Sequence, residues 1–408
     1  MPIFYSEKKL NFLWRSLLEP VVLEGRVPVY IYADEIEPEV LSQIERVKDL
    51  PFFRDKIVIM PDCHAGKGCV IGFTGYFDDV VVPNIVGVDI GCGVYTYPLN
   101  LRVDSENPKG ELNLPKFDAF VKGNIPTGLT SRTKSNAKKL PLSREDRELL
   151  SEIRSVLINT YRIDLQEPLL QVGTLGSGNH FLELGVDRDG WVYVTVHTGS
   201  RNLGLRVCNH FQRRAWEHTK RVMPNLPKDL AFLPMKKGGR EYLRAMRLAQ
   251  SYADLNRRTI LKLIVEGFFR EEFDQSRLIK SVHNYIDVDR DMCVRKGAIS
   301  AHRGERVVIP FNLTTGLVIG RGKGVRELNF SAPHGAGRKV SRRRAKELFS
   351  VSDFRKAVEE AGVYSSTVSK DTLDEAPFAY KEPEKILEFL PETVEIERFV
   401  RPIYNLKG

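Results

Sequence analysis

Long apolar runs, paired cysteines, linkers and repeats are all missing from this sequence. No apolar stretch approaches the roughly 20 residues that a membrane-spanning helix needs, which argues against a helical membrane protein. The opening residues, Met-Pro-Ile-Phe-Tyr-Ser-Glu-Lys-Lys, lack the basic-then-apolar order of a secretory signal. Cysteine is scarce: there are five, an odd number scattered along the chain, which argues against a disulfide framework. Together these absences predict a cytoplasmic protein. No Pro/Gly/Ser-rich linker cuts the chain, and no repeat or low-complexity tract appears, so one large domain over residues 1–408 is expected. Histidine is also sparse, at eight residues, which makes the placement of several beside glycine-containing turns informative.

What is present fits a basic, well-cored globular protein. The hydrophobic content of 42% is enough for a sizeable core. The net charge of +9 suits a polyanionic partner, with nucleic acid the first candidate.

Coarse periodicity outlines the elements. Val29–Ala33 reads as a strand, and residues 38 to 49 as an amphipathic helix with Val40, Ile44 and Val47 on one face. Lys56–Met60 is a short apolar strand that leads into Pro61-Asp62-Cys63-His64. Val80–Val88 reads as a buried strand, interrupted by Pro83 and ending at the turn of Asp89 and Cys92. Residues 127–140 are polar, basic and aperiodic, which predicts a mobile surface loop. Ser143 to Asn159 reads as a capped helix, with Ser143 at the N-cap and Asp146 three residues on. Trp191–Val196 is a strand that delivers His197; residues 240–268 carry the longest helical pattern; Asp353–Ala361 is a shorter helix. The fold class expected is α+β, with mixed sheets, peripheral helices and a central metal and nucleotide cleft.

The chemistry gathers in a few segments. Gly87-Val-Asp89-Ile-Gly-Cys92-Gly93 sets a carboxylate and a thiol on one glycine turn, a spacing that lets both face one ion. A buried structural cysteine beside a capping aspartate is the plainer alternative. Gly173-Thr-Leu-Gly-Ser-Gly-Asn179-His180 is rich enough in glycine to cradle phosphate, but lacks the Gly-Lys-Ser/Thr of a Walker loop. Phe181 and Glu183 follow on a strand, suited to packing on a base and accepting from its edge. His197-Thr-Gly-Ser-Arg201 sets an imidazole at a strand end and a phosphate-anchoring arginine four residues on. His283 is expected at the end of a helix. Pro333-His334-Gly-Ala-Gly-Arg338 leads into Arg342, and a helix N-terminus with a solvated basic face is the bland alternative. His210 and His218 lie on a charged helix and read as surface residues; His302 lacks supporting neighbours; His64, near Asp62, reads as a supporting member of the site. One thiol, one carboxylate and three or four imidazoles match a two-metal site beside an open nucleotide pocket. Ligand softness alone favours zinc.

In order, Pro61–Gly68, Gly87–Gly93, Gly176–His180, His197–Arg201, His283-Asn284-Tyr285, Arg295-Lys-Gly-Ala298 and His334–Arg338 resemble the motifs of the RtcB family. Those are GTP-dependent ligases of RNA 3′-phosphate and 5′-hydroxyl ends. The resemblance runs from about residue 55 to Lys407-Gly408; residues 1–50 are divergent. It implies that His334 is the nucleophile that forms a histidine–GMP adduct and that Asp62 orients it. It implies two manganese ions, rather than zinc, with Cys92 bridging and Asp89, His180, His197 and His283 completing the shells. Asn179, Phe181, Glu183, Ala336, Gly337, Tyr380 and Lys407 would hold GTP, and Arg201, Arg338 and Arg342 would hold RNA phosphates. A 2′,3′-cyclic phosphate would first be hydrolysed. The implied roles are RNA repair or tRNA splicing, by a monomer, with an archease-type activator as a further partner. Two departures mark a divergent member: Ala332-Pro333 stands where a Cys-Ser pair is usual, and Pro310-Phe-Asn-Leu-Thr-Thr-Gly316 with Leu317 replaces the usual Pro-Gly-Ser-Met-Gly loop. The alternatives are a metal-dependent phosphoesterase and a non-catalytic RNA- or nucleotide-binding descendant of the ligase.

Overall fold

The computed structural model describes residues 19–34 and 36–408. Residues 1–18 and 35, part of the divergent stretch 1–50, lie outside the described residues. The described strands are β1 (Val21–Leu23), β2 (Val29–Ile31), β3 (Phe53–His64), β4 (Ile71–Phe77), β5 (Val80–Val81), β6 (Gly93–Arg102), β7 (Phe181–Asp187), β8 (Trp191–Thr198) and β9 (Leu233–Pro234). They continue with β10 (Ile279–Val282), β11 (Asn284–Ile286), β12 (Cys293–Lys296), β13 (Ala298–Ser300), β14 (Arg306–Pro310), β15 (Leu317–Gly322), β16 (Ser331–Pro333) and β17 (Val394–Lys407).

Two sheets carry the molecule. A six-stranded sheet has the order β1-β2-β3-β4-β12-β11, and a seven-stranded sheet the order β10-β6-β8-β7-β17-β15-β14. The second sheet is antiparallel throughout and curls until its edges meet: the Val308 N–H of β14 donates to Ser281 Oγ of β10 at 2.9 Å. A sheet whose edges meet leaves no open edge and encloses its inner face, while its outer face is buried only where helices cover it. One face of β6, β7 and β8 packs Tyr95, Leu182, Leu184, Val194 and Val196 against Ile260, Leu261 and Ile264 of the long helix Gly239–Gly267. The opposite face lines the barrel interior with Val94, Tyr193, Val308, Leu317 and Val400. Since side chains alternate along a strand, Phe181, Glu183, His197, Asn405 and Lys407 fall on that inner face.

In the six-stranded sheet, β2 and β3 are parallel and are joined by the helix Pro38–Lys48, whose buried side is Val40, Gln43, Ile44 and Val47. β3 runs on through Asp62 to His64. The short ribbon β13–β16 pairs Ala298 with Pro333 and delivers His334.

Four expectations change. Val80–Val88 is a strand only at Val80–Val81; Pro83 then opens a helical turn, Pro83–Val86, because its fixed φ and missing N–H suit a first helical turn. His283 ends no helix: it sits between β10 and β11, where the chain passes from one sheet to the other, and its N–H donates to Cys92 O at 2.9 Å. Residues 127–140 hold one short helix, Lys134–Lys138, capped by Thr133, while Arg132 donates to the carbonyls of Asn124, Val172 and Gly173. The capped helix at Ser143 is present with both capping-box bonds, but regular α geometry stops at Ile153 and a wider π turn, Arg154–Thr160, follows.

Candidate active site

Three segments meet at one end of the barrel. The turn Asp89–Cys92 enters β6, the loop before His180 enters β7, and β8 carries His197 one residue before its end. The long helix ties them together from behind. Arg257, 1% exposed, donates to Gly91 O at 2.7 Å and to Thr198 O at 2.6 Å. Asn256 donates to Thr174 O and Gly199 O and accepts from the Thr174 N–H. Gly199 leaves the space that Asp89 occupies: a Cβ there would stand 2.2 Å from Asp89 Oδ1.

The five sequence-predicted metal ligands converge. Cys92 Sγ lies 3.3 Å from His197 Nε2 and 3.6 Å from His180 Nε2. His197 Nε2 and His283 Nε2 are 3.4 Å apart, and His180 Nε2 is 3.0 Å from Asp89 Oδ2. Two donor groups result, Cys92–His197–His283 and Asp89–Cys92–His180, with the thiol common to both. Backbone carbonyls orient two of the rings: His180 Nδ1 meets Leu175 O at 2.9 Å, and His197 Nδ1 meets Asn179 O at 3.1 Å. Each Nδ1 therefore carries the proton, and each Nε2 turns a lone pair inward. Lone pairs and a sulfur packed this closely repel unless a cation lies among them. Asp89 Oδ1 and His283 Nδ1 are buried without a hydrogen-bond partner among the described residues.

The titration tendencies agree. Burial, then the neighbouring Asp89 charge, pushes the Cys92 thiol well above its usual range. Burial, then nearby imidazoles, drives His197 and His283 well below theirs. Burial would raise the Asp89 carboxyl, but the close approach of the His180 ring, with Arg201 beyond it, outweighs burial and holds the group below its usual value. Neutral imidazoles and a thiol that ionises only beside a cation are a metal-binding donor set, so the residues fit the implied ions.

His334 stands beside this cluster, its ring centroid 4.9 Å from that of His283. Asp62, fully buried on β3, accepts from the His334 backbone N–H at 3.0 Å and meets its Nδ1 at 2.6 Å. The proton thus sits on Nδ1, and Nε2 keeps a free lone pair. Gly337 is required next to it: at φ 72° it is left-handed, and a Cβ would lie 2.1 Å from Asp62 O. His64 Nδ1 meets Asp62 O at 3.0 Å, and its ring stacks 6.4 Å from that of His334, in keeping with a supporting place.

A cleft of about 520 Å³ opens over these groups. Asn179, Phe181, Glu183, Ala336, Gly337, Tyr380 and Lys407, the predicted nucleotide contacts, all line it. Lys407 Nζ lies 5.0 Å from the Phe181 ring centroid. Burial pushes the Glu183 carboxyl up to about 8, against the hydrogen bond from Asn405 and the charge of Lys407. The departing loop is the β14–β15 connection. Asn312 Oδ1 accepts from the N–H groups of Thr314 and Thr315, and Phe311 and Leu313 face the cleft.

The three arginines differ in how open they are. Arg201 donates to Gly128 O at 2.9 Å and Thr174 Oγ1 at 3.2 Å. Arg338 donates to Glu375 Oε1 at 3.1 Å and Asp374 O at 2.6 Å. Arg342 reaches Glu375 at 2.6 Å and Asp374 at 2.9 Å, yet its side chain is 45% exposed. Glu375, absent from the sequence-predicted site, is the hub here. It is 1% exposed and meets Arg338, Arg342, Tyr380 and Lys407. Burial would raise its carboxyl, but Lys407, Arg342 and Arg338 hold it below the usual range. No local pattern around Asp371-Thr-Leu-Asp-Glu375 marks this role, whereas Asn256-Arg257, polar residues inside an apolar helical stripe, were a readable signal.

A family model described as tRNA-splicing ligase RtcB matches residues 43–408. The chain is 29% identical to the RNA-splicing ligase RtcB of Escherichia coli K12 over 394 residues, covering 91% of this chain and 95% of that one. It is 30% identical to the tRNA-splicing ligase RtcB of Nanoarchaeum equitans, covering 94% and 96%, and 30% identical to that of Aeropyrum pernix, covering 94% and 95%.

Proposed function

The chain belongs to the RtcB family, and on that premise we propose that it is an RNA ligase working in RNA repair or tRNA splicing. It joins a 3′-phosphate or 2′,3′-cyclic phosphate end to a 5′-hydroxyl end through a covalent histidine–GMP intermediate. The observation that carries this reading is the His334–Asp62 pair, 2.6 Å apart and set against two donor groups that share Cys92.

Asp62 holds the proton on Nδ1 of His334, leaving Nε2 to attack the α-phosphorus of GTP; a P–N bond forms and pyrophosphate leaves. The RNA 3′-phosphate oxygen then attacks that phosphorus, breaking the P–N bond and leaving a diphosphate link to GMP. The 5′-hydroxyl oxygen of the other end attacks the RNA phosphorus, GMP departs, and a phosphodiester remains. A cyclic phosphate is first opened by water to the 3′-phosphate. Asp89, Cys92, His180, His197 and His283 would hold two Mn²⁺ ions, which supply positive charge to the triphosphate and its leaving pyrophosphate.

Phe181 packs on the base, with Lys407 and Tyr380 closing that end of the cleft. Glu183 accepts from the guanine edge. Asn179, Ala336 and Gly337 border the phosphates and ribose. Of the three arginines, Arg342 has the most open side chain for an RNA phosphate, with Arg338 and Arg201 behind it. The same reading has the protein act in the cytoplasm as a monomer, with an archease-type activator. No helix among the described residues is long and apolar enough to cross a membrane.

Incubation with Mn²⁺ and α-labelled GTP, followed by denaturing electrophoresis, tests the reading. An acid-labile labelled band that is lost in His334→Ala is expected, together with joining of 3′-phosphate and 5′-hydroxyl RNA. Metal-dependent phosphate release without that band would mean a phosphoesterase. A band without joining would mean a nucleotide-binding descendant.

A further inference from the structure

Asn405 faces the nucleotide cleft beside Glu183, and no sequence motif pointed to it. The two residues are directly opposed in the β17–β7 ladder, on the face that lines the barrel interior. Asn405 Nδ2 donates to Glu183 Oε2 at 2.8 Å. Its other polar side-chain atom, Oδ1, is buried and has no hydrogen-bond partner among the described residues, although the residue is only 1% exposed and lies on the cleft wall. A carboxamide oxygen accepts only, so the missing partner is a donor. A buried acceptor without a donor costs free energy until a ligand supplies one.

We propose that Asn405 is a base-specificity residue, reading the exocyclic 2-amino group of guanine jointly with Glu183. This rests on the assignment of the cleft to a guanosine nucleotide. The guanine edge presents N1–H and the two hydrogens of the 2-amino group side by side. With guanine bound, its N–H donors favour the ionised form of Glu183, whose carboxylate takes N1–H and one amino hydrogen. Asn405 Oδ1 takes the second amino hydrogen, and the Asn405–Glu183 bond fixes the spacing of the acceptors. Hypoxanthine keeps N1–H but lacks the 2-amino group. Adenine has an acceptor at N1 and lacks that group too. Either base leaves Asn405 Oδ1 orphaned, and a buried polar group left unpaired rejects an analogue more strongly than a missing apolar contact does.

The test compares adduct formation from subsaturating GTP and ITP, with Mn²⁺, in the wild type and in Asn405→Val. Valine suits a strand and keeps comparable bulk. The wild type is expected to prefer GTP, and that preference should fall about tenfold in Asn405→Val, mainly because GTP becomes a poorer substrate. Both nucleotides are tried on the same protein, so any loss of folded enzyme cancels in the ratio. Asn405→Ser serves the same comparison if the valine variant does not fold. An unchanged GTP/ITP ratio, including an equal fall with both nucleotides, would overturn the proposal and leave Asn405 a structural residue. Absence of any adduct in the wild type is a different failure: it would overturn the ligase reading on which this one rests.

Discussion

Cys92 lies within 3.3 Å of His197 Nε2 and 3.6 Å of His180 Nε2, whereas His334 belongs to neither donor group. Their variants should therefore separate. Cys92→Ala removes the atom common to both groups, so metal binding and guanylylation should be lost together. His334→Ala should lose guanylylation alone. Thermal unfolding with and without Mn²⁺ reads the difference. At a hundredfold excess over Kd, a bound ion stabilises by about 2.7 kcal/mol. That gain is expected for the wild type and His334→Ala and should be absent for Cys92→Ala. Asp62 acts through His334, and Asp62→Asn should slow adduct formation roughly 10- to 100-fold with metal retained, the usual scale for losing an orienting partner. Full metal retention in Cys92→Ala would count against the shared-ligand assignment. Glu183 offers a test by pH. Its folded pKa, about 8, is raised above the ordinary carboxylate value by burial. The folded state thus keeps a proton that the unfolded chain has released, and the ionisation cost grows as pH climbs from about 4.5 to about 8. Glu183→Gln removes that cost, so its stability relative to the wild type should rise over this window, by an amount on the order of a few kcal/mol, and level off above it. Chemical denaturation at pH 5 and pH 8.5 measures it.

Among the elements, the long helix Gly239–Gly267 is more than a cover for the barrel. Its Arg257 holds the carbonyls of Gly91 and Thr198, which flank the proposed ligands Cys92 and His197. Arg257→Met keeps apolar bulk but leaves both carbonyls without their donor. A loss of about 2–4 kcal/mol in unfolding free energy is expected, together with weaker Mn²⁺ binding. If stability falls while Mn²⁺ affinity stays unchanged, the helix supports the fold and not the site. Elements with strong local signals matched their expectations: the apolar face of Pro38–Lys48, the Ser143–Asp146 capping box, and the strand that delivers His197. Those that differed lacked such signals or carried one that reads two ways. Pro83 interrupts a strand and equally opens a helical turn, and the apolar run around it suits both. His283 sits where the backbone bonds to Cys92 O and to Gly297 N–H, partners from distant segments that no local window contains.

For the whole molecule, the charge of +9 sets how it meets a polyanion. Each lysine or arginine that neutralises a phosphate releases counterions, so the logarithm of RNA affinity should fall steeply and linearly with the logarithm of salt concentration. Guanylylation from GTP alone should respond much less, since its charges meet inside a buried site. Measuring RNA binding and adduct formation at 50 and 200 mM salt checks this; parallel losses would refute the separation. Most of the residues that meet in the donor groups and along the cleft were legible in the sequence, from glycine turns, strand ends and the family motifs. Asn405 and Glu375 were not, since each looks like an ordinary polar residue in its local stretch. What the sequence by itself determined was the donor set and the order of the segments that carry it, because residue type decides which atoms can bind a cation or attack phosphorus. Only the tertiary structure decided which donors share a centre, and that Asn405 opposes Glu183. Those are consequences of sheet register, barrel closure and burial, which join residues hundreds of positions apart.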